Sequence, residues 1–170
     1  MRKNFLLSLA MLSLLSSCEI KVKSEKGKTE NDNAKTRNGI VISKAEGIKI
    51  EQAFLLFEDG TRVPENNVVQ VNQKVVLRLI VSGWKEKDSK VFLSGGEVME
   101  TSEGEEFLRE DNLFKNYTEG IDAKDAEYIS MSVVITAVNK LYDHFRVSFY
   151  LKDDSVQGSK AEGYYKLYIK

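Results

Sequence analysis

His144-Phe145-Arg146-Val147-Ser148-Phe149-Tyr150-Leu151 decides the fold. Phe145, Val147, Phe149 and Leu151 alternate with Arg146, Ser148 and Tyr150, so an extended chain turns one apolar face inward and one polar face outward. The same period of two recurs in Val75, Leu77, Leu79 and Val81, in Ile129, Met131, Val133 and Ile135, and in Tyr165, Leu167 and Ile169. Alternation of this kind marks half-buried antiparallel strands, whereas parallel sheets need continuous apolar runs. Turn residues separate the runs: Asp59-Gly60, Asn72-Gln73, Lys85 to Ser89, Asn139-Lys140, and Asp153 to Ser159.

The strands expected are 40–43, 47–57, 67–71, 74–84, 90–93, 97–101, 128–138, 144–152 and 161–169. Roughly seven to nine short strands at this spacing predict an all-β chain, an antiparallel sandwich of Ig-like or C2-like type. One stretch departs from the pattern. In Ser102 to Lys115, Phe107, Leu108, Asp111 and Phe114 fall near a helical spacing, and Ser102 and Glu105 stand as a capping box. The stretch reads as a short helix near 103–115 or as an irregular crossover leading into Asp111-Asn112-Leu113-Phe114, and the helical turn is the preferred expectation.

The chain has 170 residues, with 25 basic and 26 acidic, one His, one Cys, one Pro and one Trp. A near-neutral balance argues against a nucleic-acid partner, which calls for a concentrated basic excess. A single Cys makes neither an internal disulfide nor a thiolate metal cluster.

Arg2 and Lys3 precede an apolar run from Phe5 to Leu15, followed by Ser16, Ser17 and Cys18. A charged start, a short apolar stretch and small residues at the end describe a secretory signal peptide, and the run is too short to span a bilayer. Leu15-Ser16-Ser17-Cys18 resembles the lipobox of bacterial lipoproteins. That resemblance implies cleavage before Cys18 and acylation of its thiol, palmitate being a typical chain. Two or more acyl chains make anchoring stable where one is marginal. The resemblance also implies the cell envelope, and Glu19 in place of an Asp favours the outer membrane, with the periplasmic or surface face open.

Residues 19–38 are rich in Lys, Glu, Asn and Thr and contain no aromatic residue. Such a segment cannot bury enough apolar surface to order itself. The expected organisation is a signal peptide over 1–17, a lipidated tether over 18–38, and one sandwich domain over 39–170. The domain loosely resembles small β-sandwich lipoproteins of the Bacteroidetes through the tether, Phe57-Glu58-Asp59-Gly60, Asp111-Asn112-Leu113-Phe114 and the C-terminal hairpin.

Candidate sites follow from residue chemistry. Trp84, Tyr150, Tyr164 and Tyr168 are candidates for a ligand-binding strip, because sugar rings stack on aromatic faces with polar edges. The competing reading is cross-strand packing for the tyrosines and a core lid for Trp84. Asp122, Asp125 and Glu127 share one polar loop that could offer oxygen ligands to Ca²⁺, although no Asp-x-Asp-x-Asp-Gly ladder is present. Ser155, in Asp154-Ser155-Val156, resembles a Bacteroidetes O-glycosylation motif. His144 has no visible nucleophile beside it, so no catalytic residue is expected. The expected role is a membrane-anchored, non-catalytic binding module for carbohydrate or a surface protein. The alternative is a structural component of an envelope assembly, with a hydrolytic enzyme further behind.

Overall fold

The computed structural model describes residues 34–170. The signal peptide, Cys18 and nearly all of the tether lie outside the described residues. The elements in chain order are β1 (Lys35–Thr36), β2 (Val41–Glu46), β3 (Lys49–Phe57), β4 (Val68–Val69), β5 (Lys74–Ser82), β6 (Lys90–Val91), β7 (Leu93–Thr101), β8 (Glu106–Glu110), β9 (Ile121–Asp122), α1 (Ala123–Ala126), β10 (Tyr128–Val134), β11 (Phe145–Asp153) and β12 (Lys160–Ile169). A four-stranded sheet runs β1-β3-β5-β10, and a six-stranded sheet runs β2-β12-β11-β7-β8 with β4 beside β12. The long neighbours are all antiparallel, as the alternation predicts. The fold is an all-β antiparallel sandwich.

The inner faces make one core. From β11 come Phe145, Val147, Phe149 and Leu151; from β5 come Val75, Leu77, Leu79 and Val81; β10 adds Ile129, Met131 and Val133. Each such side chain contributes roughly 1.5–3 kcal/mol by leaving water. Because these residues face inward, their neighbours are forced outward. Arg146, Ser148, Tyr150 and Lys152 therefore project from the centre of the six-stranded sheet.

Two expectations are corrected. The first is the helix near 103–115: Glu106–Glu110 is instead a strand, β8, paired with β7 through Glu97↔Glu110, Val98↔Arg109 and Met99↔Leu108. A hairpin turn explains this. Thr101 N–H donates to the Glu105 carbonyl, and the Thr101 hydroxyl oxygen accepts from the Glu103 and Glu105 amides. Gly104 sits between them at φ +84°, a left-handed position that glycine adopts without strain. The Phe107 ring then meets Phe145 edge-on, centroids 5.2 Å apart. The helical turn of the structure lies later, at Ala123–Ala126.

The second correction is the domain boundary, expected at 39. Lys35 and Thr36 pair in parallel with Gln52 and Ala53, and Asn38 is buried. The Asn38 side-chain amide donates to the carbonyls of Val63 and Pro64 and to Asn67 Oδ1, while its own oxygen accepts from the Leu55 amide. Asn67 returns the contact by donating to the carbonyls of Asn38 and Lys166. Composition hid this, because an Asn buried for its hydrogen bonds looks like any polar linker residue. The strand expected at 90–93 is the short β6 at Lys90–Val91, and the one expected at 97–101 reaches back to Leu93 as β7.

Candidate functional site

The outer face of the six-stranded sheet carries a groove of about 450 Å³ lined by Ser43, Gly96, Val98, Arg146, Ser148, Tyr150, Lys152, Lys160, Glu162 and Tyr164, among others. The register explains the concavity. Ser148 lies between Val98 on β7 and Tyr164 on β12, and Tyr150 lies between Gly96 and Glu162. Small residues at 96, 98 and 148 keep the floor low, and longer side chains at 146, 150, 152 and 164 make the walls.

Tyr150 is held across its glycine neighbour. A Cβ at Gly96 would stand 2.9 Å from the Tyr150 ring and would collide with the Glu110 carbonyl. The Tyr150 hydroxyl donates to the Asp111 carbonyl. Burial, then the charges of Asp111 and Asp154, push the Tyr150 pKa up, so this hydroxyl keeps its proton and its donor role. The pairing of an aromatic ring with a cross-strand glycine stabilises the sheet where glycine leaves a gap.

Each groove tyrosine carries a cation on its ring. The Arg146 guanidinium carbon lies 4.0 Å from the Tyr164 centroid, and Lys152 Nζ lies 5.4 Å from that of Tyr150. Lys160 is paired with Glu162 at 2.6 Å. Among the described residues, Arg146 and Lys152 have no carboxylate within ion-pair distance. Tyr164 also borders a neighbouring depression with Tyr168, Lys166, Val41 and the Asn38–Asn67 corner. The three tyrosines thus follow one face, with Tyr164 shared between its two hollows.

The fourth aromatic candidate is elsewhere. Trp84 packs on the core beside α1, and its Nε1–H donates to the Ala126 carbonyl at 2.9 Å. It borders a different depression, with Glu51, Val81, Glu86 and Glu127. The lid reading fits Trp84, and the strip is made by tyrosines.

The acidic loop does not assemble a cation site. Asp122 is drawn to Lys90, 2.7 Å away across the β6–β9 pair. Asp125 and Glu127 are exposed on either side of buried Ala126. No three acidic, imidazole or thiol groups among the described residues come together in a way that could hold a metal ion. Ser155 is exposed in the turn between β11 and β12, where its amide donates to Asp153 Oδ1. His144 Nδ1 lies 2.7 Å from Asp143 Oδ2, and its ring leans toward Tyr168 with centroids 6.1 Å apart.

One buried group escaped the sequence reading. Glu97 on β7 is 1% exposed and faces the core with Leu93 and Met99. Neither its carboxyl oxygens nor the buried Tyr165 hydroxyl completes a hydrogen bond of normal geometry among the described residues. Burial pushes the Glu97 carboxyl up to about 7, and the nearby Tyr165 hydroxyl only partly offsets that. Alternation along 93–101 was the available signal, since it puts Glu97 in phase with Leu93 and Met99.

No protein-family model matches the chain, and no curated protein matches it. Among solved structures it is similar to the crystal structure of the C-terminal domain of wzt, at 16% identity and a TM-score of 0.49, over 79% of this chain and 80% of that one. The likeness is one of overall shape, and the role of the groove is read from its own residues.

Proposed function

We propose that this protein is a non-catalytic carbohydrate-binding module that presents the outer face of its six-stranded sheet to a glycan. The observation that carries the reading is the groove itself: a low floor of Gly96, Val98 and Ser148 between Tyr150 and Tyr164. Tyrosine offers an apolar body to a sugar ring and a polar edge to its hydroxyls. Ser43, Ser148 and the Lys160–Glu162 pair add hydroxyl and charged hydrogen-bonding groups beside them. The groove is built on strands rather than loops, so it is formed before a ligand arrives and little is spent on ordering it.

The sequence up to Cys18 supports a lipid anchor in the envelope, and the outer membrane is the proposed location. In that arrangement the tether would hold the domain off the bilayer, with the groove available to glycans of the envelope or its surroundings. An assembly role is the second reading, favoured by Phe54, Leu56, Val76 and Ile80, half-buried on the outer face of the four-stranded sheet.

A glycan array probed with the full-length protein in neutral detergent tests the proposal. Retention of at least one glycan, with loss of that signal in Tyr164→Ala, is the expected result. No retained glycan, or a signal that Tyr164→Ala leaves intact, would refute the groove as a carbohydrate site.

A further inference from the structure

Resting on the carbohydrate reading of the groove, we infer that its ligand is an acidic oligosaccharide, an extended chain of sugars bearing carboxylates. Residues 39–170 contain more acidic than basic residues, so a random patch of their surface would be acidic. The side chains lining the groove are the reverse: Arg146, Lys152 and Lys160 against one lining carboxylate, Glu162, which Lys160 already neutralises. Asp111 and Asp154 act on its Tyr150 end, and Glu100 stands across from Arg146 without forming an ion pair with it. Two cations are left for a ligand.

Their positions set its shape. Arg146 and Lys152 are six residues apart on one antiparallel strand, which separates their backbones by roughly 20 Å. Each leans toward the middle of the groove, Arg146 onto Tyr164, which lies opposite Ser148, and Lys152 onto Tyr150. A compact anion such as free phosphate can reach one cation at a time. A chain of several sugars can meet both while its rings lie along the tyrosines. The planar guanidinium of Arg146 suits a carboxylate, which it can grip with two parallel hydrogen bonds.

The cations also explain why the tyrosines alone do not define the site. In the free protein each ring has a positive group at its face, an arrangement that is favourable by about 0.5–1 kcal/mol at exposed positions. A neutral sugar stacking on the same face must displace that group. An acidic sugar keeps it, by bridging cation and ring.

The test uses full-length protein in neutral detergent and titrates three probes of matched length: an oligogalacturonate, its methyl ester, and a sulfated oligosaccharide. The expected result is binding of the oligogalacturonate, weakened steeply by salt, with little binding of the ester. Arg146→Gln and Lys152→Gln should each weaken it about tenfold, the size of one charge-assisted contact. An unchanged melting temperature shows that these variants remain folded. Equal binding of acid and ester would overturn the acidic specificity while leaving the carbohydrate reading intact. Preference for the sulfated probe would move the anion from carboxylate to sulfate and overturn the carboxylate assignment. If no probe binds and the array also retains no neutral glycan, both readings fall together.

Discussion

At the residue scale, Glu97 is the side chain with the clearest consequence for stability. Its folded carboxyl titrates near 7 against an ordinary value of 4.5, because burial disfavours the charged form. Below the ordinary value both folded and unfolded chains hold the proton, and Glu97 carries no ionisation penalty. As pH rises from about 4.5 to 7 the unfolded chain releases its proton first, so folding loses stability over that interval, by roughly 3 kcal/mol at most. Thermal melts from pH 4.5 to 8 should show this decline, and Glu97→Gln should flatten that part of the curve and raise the melting temperature at pH 8. A wild-type curve unchanged by Glu97→Gln would contradict the burial assignment. Trp84 gives the complementary case. Trp84→Ala removes a core lid and its bond to Ala126, and should cost about 3–5 kcal/mol in denaturant unfolding. Glycan affinity of the folded variant should not change, because Trp84 borders a different depression and is not among the residues that line the tyrosine groove.

At the element scale the outcome turned on pairing partners. Alternation in β5, β10, β11 and β12 was legible because their inner faces are almost wholly apolar. The stretch now seen as β8 was not, since Phe107 and Leu108 interrupt a period of two and leave a helical spacing by coincidence. What overrode that spacing was the edge of β7, together with Gly104 at the turn. Charges on β8 also protect the new edge: Arg109 is held by Glu106 at 2.6 Å and approaches Asp111, which discourages pairing with a further strand. The groove was half legible. Tyr150, Tyr164 and Tyr168 could be placed outward by counting. The hollow between them could not, because it depends on which residues of β7 stand beside Ser148 and Tyr150. Gly96→Ala tests that account. Its added carbon would push against the Tyr150 ring and the Glu110 carbonyl, costing about 1–3 kcal/mol in denaturant unfolding and weakening glycan binding by tilting Tyr150 out of place.

At the scale of the whole molecule, the Asn38–Asn67 pair joins the start of the domain to its end. It reaches Leu55 on β3, Val63 and Pro64 in the following loop, and Lys166 on β12. Asn38→Ala leaves the Leu55 amide, the carbonyls of Val63 and Pro64 and Asn67 Oδ1 without this partner, a loss of about 2–3 kcal/mol measurable by urea unfolding. A fragment beginning at residue 39 should lose at least as much relative to one beginning at 34, since it also lacks the β1–β3 pairing. Anchoring is argued from the first eighteen residues alone. Cys18→Ala in the full chain should move the protein from the membrane to the soluble fraction, and persistent membrane association would refute the lipid anchor.

Hydrogen–deuterium exchange reads glycan binding at the outer face of the six-stranded sheet most directly. Full-length protein would be compared with and without the oligosaccharide that it retains best. Slowed exchange confined to peptides spanning 41–46, 94–100, 145–153 and 160–168 is the predicted result. Protection centred instead on the Trp84 end, or on the outer face of β3 and β5, would contradict it.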